Sequence, residues 1–200
     1  MVRLHYLWVW LRRFRHSRGF GVQSPSAYQF IRYVVNELWP YYQYEELGKE
    51  DGWLTRKLGR LYFRMVNWYQ PQYIFNIGED SERYAAYLHA GSKKAEVMTS
   101  CDGISWEEIA HQNGVESFAS KCVFLVSLTA VYADFIEKML NSVGEKTVVI
   151  LEGIHHDKAA YASWQLFMRH KRVSICYDLY YCGILFFDKK RYKKTYIVNF

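Results

Sequence analysis

The chain has 200 residues and a mass of 23.9 kDa, carries a formal charge of +6, and is half hydrophobic. That apolar content excludes an intrinsically disordered chain, and the length suffices for one large domain or for a domain with an added arm. The basic residues concentrate near both ends. We expect them to form a solvated surface, because no helix-turn-helix or RNA-binding signature accompanies them, and no specific nucleic-acid partner is predicted.

Residues 1–52 are predicted to form a helical arm. The first 15 residues indicate an aromatic, basic helix that is too short to span a bilayer, and no signal-peptide cleavage site follows it. Ser24 and Pro25 are typical of a helix start, and this second helix is predicted to run to about Leu38. We expect the arm to pack on its own domain or on a second copy of the chain, so a homodimer through the arm stays an open alternative.

Residues 53–200 are predicted to form a Rossmann-like α/β domain, because strand-like and helix-like segments alternate along them. The continuous apolar runs at 122–126 and 147–151 are typical of parallel strands that are buried on both faces. Two strand-like segments flank a basic turn at 188–191. This pattern predicts a mostly parallel sheet with a C-terminal antiparallel hairpin at one edge.

The segment 73–88 indicates a strand, a turn and a helix in succession. In nucleotide-binding folds such a turn touches the ligand, because the helix N-terminus offers unpaired N–H groups and the strand end leaves a crevice. Here the turn contains a single glycine, Gly78, where a cofactor loop usually has two or three. The pattern therefore indicates a cofactor-binding framework with an eroded cofactor loop.

Four segments resemble a class I S-adenosylmethionine (SAM)-dependent methyltransferase-like family of Bacteroidetes. Residues 16–25, His-Ser-Arg-Gly-Phe-Gly-Val-Gln-Ser-Pro, are similar to the start of that family, and residues 57–62 to the helix before its first strand. Residues 152–155, Glu-Gly-Ile-His, stand where the family has Asp-Asp-Ile-His. Residues 178–187 are similar to its aspartate–leucine–aromatic–glycine–aromatic ending. The resemblance spans nearly the whole chain and implies the class I methyltransferase fold, with SAM as cofactor.

The positions that the resemblance leaves for cofactor binding are Asn76, Gly78 and Asp102. All three depart from the family pattern, which ends its first strand in an acid and its second strand in an acid one residue earlier than Asp102. Glu79 and Asp80 also follow the glycine, where they add negative charge and bulk beside the helix N-terminus. We therefore expect SAM binding to be weak or lost.

His155 and Glu152 are the candidate catalytic residues. His155 follows a predicted parallel strand, where ligands bind in this architecture, and could serve as a general base. A structural hydrogen bond in the loop is the alternative role for this histidine. Glu152, His155, His156 and Asp157 include metal-ligand types, but their spacing matches no zinc pattern, so no metal site is predicted.

The four cysteines form no Cys-x-x-Cys pair, which favours buried thiols in a reducing compartment and predicts a cytoplasmic protein without a transmembrane segment. The sequence favours a methyltransferase-like protein with a degraded cofactor loop and weak or no methyl transfer. Two alternatives stay open. One is an active small-molecule methyltransferase, and the other is a non-catalytic interaction or scaffold protein.

Overall fold

The structure of the chain is a computed structural model that describes residues 2–16, 18–101, 105–113 and 120–200. Its helices and strands alternate from residue 53 to residue 178, as the sequence predicts, and the last two strands follow without a helix between them. The helices are α1 (Val2–Arg12), α2 (Pro25–Phe30), α3 (Trp53–Tyr69), α4 (Glu82–Gly91), α5 (Trp106–Asn113), α6 (Ala133–Ser142) and α7 (Lys158–Arg169). The strands are β1 (Tyr73–Ile77), β2 (Glu96–Ser100), β3 (Cys122–Ser127), β4 (Thr147–Glu152), β5 (Ile175–Asp178), β6 (Cys182–Phe186) and β7 (Lys194–Ile197).

The seven strands form one sheet in the order β2-β1-β3-β4-β6-β5-β7. The first four strands are parallel, β6 is antiparallel to both β4 and β5, and β7 is parallel to β5. The fold is therefore α/β with a mostly parallel sheet and one antiparallel hairpin, compatible with a Rossmann-like architecture. The chain reverses its direction of travel across the sheet between β1 and β3, and ligands bind at such a switch point in open α/β sheets.

The antiparallel hairpin does not form where the sequence pattern places it. The prediction joined β6 and β7 across the basic turn at 188–191, and that pairing is wrong. The hairpin joins β5 to β6 through residues 179–181, and β7 pairs with the far side of β5 in parallel. The apolar alternation of a strand identifies the strand but not its partner, because β6 is buried between β4 and β5 and so has no free edge to offer β7.

Two hydrophobic layers cover the sheet. On one face, α2, α3 and α4 pack against the even-numbered residues of β4, such as Val148 and Ile150. On the other face, α5, α6 and α7 pack against the odd-numbered residues, such as Val149 and Leu151. Both faces of the central strands are thus buried, which explains their continuous apolar runs.

The segment around α2 packs into the first of these layers. Ser24 caps α2 by accepting a hydrogen bond from the backbone N–H of Ala27, as its position before Pro25 predicts. The predicted helix ends earlier than Leu38, because α2 continues only as a wider π-helical turn from Ile31 to Val35. The buried Arg64 of α3 then donates hydrogen bonds to the carbonyls of Val34 and Val35, which this helix end leaves without helical partners.

Within the described ranges, no helix combines the length and the apolar composition needed to cross a bilayer.

Gly59 lets α3 and α4 approach closely. A methyl group at this position would lie 2.5 Å from the ring of the buried Tyr87 on α4. Alanine is the better helix former by about 1 kcal/mol. We expect Gly59→Ala nevertheless to destabilise the protein by roughly 1–3 kcal/mol, because overpacking against a buried ring outweighs helix propensity. The denaturant midpoint measures the change.

The matched control is the same substitution in a Tyr87→Leu background, where the ring is absent. The penalty of Gly59→Ala should shrink or reverse there, since the propensity gain then acts alone. A midpoint that rises in both backgrounds would show that the two helices do not meet through this glycine.

Candidate functional site

Two residues of the chain approach each other closely at the carboxyl ends of β1 and β3. Gly78 follows β1 with φ +147°, and a Cβ built on it would lie 2.3 Å from Oγ of Ser127 at the end of β3. The glycine is therefore required here for internal packing. In a dinucleotide-type turn the equivalent freedom lets a ligand approach the backbone.

Asn76 is also committed to an internal contact. Its side chain is almost fully buried, and Nδ2 donates a hydrogen bond of 2.7 Å to the backbone carbonyl of Ser81. The Ser81 hydroxyl donates in turn to the carbonyl of Ser100 at the end of β2. These bonds tie the turn after β1 to its neighbouring strand, so Asn76 orders the turn.

The start of α4 is acidic. Glu79 and Asp80 are exposed in the turn before the helix, Glu82 opens it, and Asp80 pairs with Arg83 at 2.8 Å. Three carboxylates at one helix N-terminus repel an anionic ligand group. They also lie at the positive end of the helix dipole, where such a group would otherwise be stabilised. The third predicted cofactor residue, Asp102, lies outside the described residues.

Glu152, at the end of β4, is the first of the predicted catalytic residues that the structure places in a pocket. Its Oε1 accepts a hydrogen bond of 2.6 Å from the hydroxyl of Tyr84 on α4. Burial raises the pKa of this carboxyl to about 7, and the negative charge of Asp80 acts in the same direction. A carboxyl that titrates near neutral pH can exchange a proton with a bound molecule.

His155 lies in the loop after β4, and a buried carboxylate orients it. Its Nε2 is 3.3 Å from Oδ2 of Asp178 at the end of β5, and its ring stacks on Tyr180 at a centroid distance of 4.6 Å. A carboxylate bonded to one ring nitrogen fixes the tautomer and leaves the other nitrogen for a ligand. The structural role and the predicted role as a general base are therefore compatible.

Asp178 in turn holds the N-terminal arm. Arg13 donates to its Oδ1 at 2.6 Å and also to the backbone carbonyls of Asp178 and Val198. Burial alone would raise the pKa of this aspartate. The hydrogen bond from His155 and the charge and hydrogen bond of Arg13 outweigh it and lower the pKa to about 2. The carboxylate is thus ionised throughout the neutral range.

These groups border a pocket of about 310 Å³ that lies between α1, α3 and the loops after β4 and β5. The pocket joins Glu152 and His155, and its lining does not include Asn76 or Gly78. The remaining lining is His5, Tyr6, Leu54, Leu58, Gly153, His156, Tyr180 and Tyr181. A carboxyl with a near-neutral pKa beside an oriented imidazole makes the pocket suited to general acid–base chemistry.

The sequence pattern gave no site role to Arg13, Asp178 or Tyr180. An acid at the end of an apolar strand was the available signal for Asp178. Tyr180 is not a glycine but has φ +73°, and no sequence pattern predicts this backbone conformation. In the described part of the chain, no group of three His, Cys, Asp or Glu side chains is arranged to hold a metal ion.

The raised pKa of Glu152 has a consequence for stability. The unfolded chain loses this proton near its ordinary pKa, so between that value and about 7 the folded state binds the extra proton. We therefore expect this carboxyl to stabilise the fold fully at acidic pH and to lose that contribution as the pH rises through about 7. Glu152→Gln, which keeps the acceptor for Tyr84, should remove the loss, and its denaturant midpoint should depend less on pH than that of the wild type.

Tyr84→Phe is the companion variant, since it deletes the donor that favours the ionised form. The free energy of unfolding should fall more steeply with pH in this variant than in the wild type, between about pH 5 and about pH 8. Identical pH profiles for wild type and Glu152→Gln would contradict a raised pKa at this position.

Comparison of the chain with models of protein families gives no match, and a search of curated proteins gives no significant relative. What the site does must therefore be argued from its geometry.

Proposed function

We propose that the chain is a protein of the class I methyltransferase type that binds SAM weakly or not at all, and that it binds a small molecule in the pocket of Glu152 and His155. The observation that carries the proposal is the contact between Ser127 and Gly78. A serine hydroxyl occupies the space on the glycine Cα that an open cofactor turn leaves free. Weak or absent methyl transfer follows from this closure.

The framework supports the first half of the proposal. A mostly parallel sheet ended by an antiparallel hairpin, preceded by a helical arm, is the arrangement that the sequence resemblance implies. The acidic turn before α4 and the buried, hydrogen-bonded Asn76 both act against the cofactor. The residues at the switch point do not fit SAM, so no chemical step is assigned to it.

The pocket supports the second half. Glu152 can hold or release a proton near neutral pH, and His155 is oriented by Asp178. Leu54, Leu58 and three tyrosines supply apolar wall and hydroxyl groups. Small-molecule sites commonly combine such apolar walls with a few convergent polar groups.

Titration of the protein with SAM in a calorimeter tests the closure. We expect no heat from the wild type at about 1 mM SAM, and at least a tenfold gain in affinity in the triple variant Glu79→Gly, Asp80→Gly, Ser127→Gly, which restores room and removes charge. The matched control is Glu79→Gln, Asp80→Asn, which removes the charges alone. Micromolar binding by the wild type would overturn the proposal and favour an active methyltransferase.

A second candidate function, a non-catalytic protein that dimerises through its arm, is favoured by one observation. Helix α1 and the turn after it expose a stripe of large apolar side chains at helical spacing. These are Leu7, Trp8, Leu11 and Phe14, which are between 53 and 59% exposed. A helix that shows such a stripe is suited to pack on the same stripe of a second copy across a two-fold axis.

Sedimentation velocity tests this assembly. We expect the wild type to be a dimer at micromolar concentration and the variant Leu7→Glu, Leu11→Glu to be a monomer, because two carboxylates would be buried in the contact. Leu166→Glu on α7 is the control, since Leu166 is 68% exposed but lies away from the arm. A monomeric wild type, or a dimer that survives the double substitution, would exclude dimerisation through the arm.

A further inference from the structure

A second and larger cleft lies on the other side of α3, away from Glu152 and His155. It has a volume of about 860 Å³ and separates α3 from the segment that follows α2, residues 35–45. The helix presents four cations to it at positions 56, 57, 60 and 64, against two carboxylates, Glu37 and Glu45, in the facing segment. The cleft is thus positively charged on balance, and its charge comes from one rigid helix.

Two of these cations have fixed structural partners. Arg64 donates to the carbonyls of Val34 and Val35, and Arg56 donates to the carbonyls of residues 48, 49 and 51. Arg64 thus ties α3 to the start of the facing segment, and Arg56 ties α3 to the loop before it. Asn36 follows directly after Val35 and lines the same cleft as Arg60.

The other two cations lack such partners. Among the residues that the structure describes, no carboxylate lies within ion-pair distance of Lys57 or Arg60. Nε of Arg60 and Nδ2 of Asn36 are buried donors, and neither has an acceptor within the described ranges. Buried donors normally have an acceptor. Two unsatisfied donors in one cleft therefore favour a ligand that supplies the acceptor from outside the chain.

Lys57 adds a third donor to the same region. Its ammonium lies 4.4 Å from the ring centroid of Phe200, 4.9 Å from that of Trp53 and 5.4 Å from that of Tyr181. The rings attract the cation electrostatically but offer its N–H groups no oxygen or nitrogen acceptor. Burial lowers the pKa of this lysine to about 8.

The walls of the cleft define the rest of the ligand. Arg60 lies over the ring of Tyr44 at 4.7 Å, and the rings of Trp39, Tyr42 and Trp53 stand at the border, where they are 73, 90 and 55% exposed. Exposed rings around unpaired donors are suited to a molecule with a flat apolar body and an acceptor-only head group. Carboxylate and phosphate groups are such heads, and both bind arginine and lysine well.

We propose that this cleft is a binding site for a small organic anion, a carboxylate or a phosphate ester carried on an aromatic or apolar body, whose head group is held by Lys57, Arg60 and Asn36. The site goes beyond the proposed function, since it requires neither SAM nor the pocket of Glu152. A SAM titration that contradicts the proposed function therefore does not contradict this anion site.

Calorimetric titration with indole-3-acetate and with phenyl phosphate, each up to about 5 mM, tests the site, and the two acids separate the two head groups. Indole-3-acetamide is the neutral probe of equal shape. We expect at least one of the acids to bind with a dissociation constant below about 1 mM and the amide to bind at least tenfold more weakly. No heat from either acid, or equal affinity for the amide, would overturn the proposal.

Two variants locate the binding. Asn36→Asp keeps the side-chain shape but places a negative charge beside the head group, and Lys57→Gln removes one positive charge from the cleft. Each should weaken the acid at least tenfold. The control Lys158→Gln removes one positive charge at the exposed start of α7 and should leave the affinity unchanged.

Denaturant midpoints of the three variants establish that each is folded before its affinity is compared. If one cleft variant fails to fold, the other decides alone, because the two substitutions lie on opposite walls. Equal losses in Lys158→Gln and Lys57→Gln would assign the binding to net charge and contradict a site in the cleft.

Discussion

The ion pair between Arg13 and Asp178 anchors the N-terminal arm to the end of the sheet. Asp178 ends β5, where an unpaired buried carboxylate would be costly, and Arg13 compensates it from an arm that is distant in sequence. Because the same carboxylate also contacts His155, one interaction fixes the arm, the end of the sheet and the loop after β4. The arm supplies one wall of the pocket of Glu152 and His155, through His5 and Tyr6.

Gly78 lies at the switch point, where its position predicts contact with a ligand, but here it packs closely against Ser127. In an open cofactor turn the missing side chain makes room for a ligand, whereas Gly78 makes room for Ser127. One serine at the end of β3 thus turns a ligand-facing turn into a packed corner of the core. Glu79 and Asp80, which follow Gly78, are exposed to solvent.

Much of the fold could be predicted from the sequence, since apolar runs and helical spacing locate β1 to β4 and the helices between them. The partner of β7 could not, because its pairing depends on which strand edge stays free after β5 and β6 have joined. The same limit applies to the candidate sites. Glu152 and His155 follow a strand and were found by position. Arg13 and Asp178 needed three-dimensional structure, because their contact joins segments 165 residues apart.

The cleft of Lys57 and Arg60 shows a second limit. On the sequence, the cations of α3 look like an ordinary solvated helix face, since spacing alone cannot tell a cation bonded to a carbonyl from one without a partner. Arg56 and Arg64 belong to the first kind. Lys57 instead lies over aromatic rings, and Nε of Arg60 has no acceptor among the described residues. Only the distribution of acceptors around the helix separates structural arginines from those that can serve a ligand.

The long reach of the Arg13–Asp178 contact also bears on how the protein is made. A ribosome releases the arm first and the end of β5 almost last, so the aromatic helix emerges well before the carboxylate that anchors it. Throughout that interval Arg13 lacks the carboxylate that anchors it, while Trp8 and Trp10 are exposed, as they largely remain in the folded protein. The arm therefore takes its final position only late in synthesis.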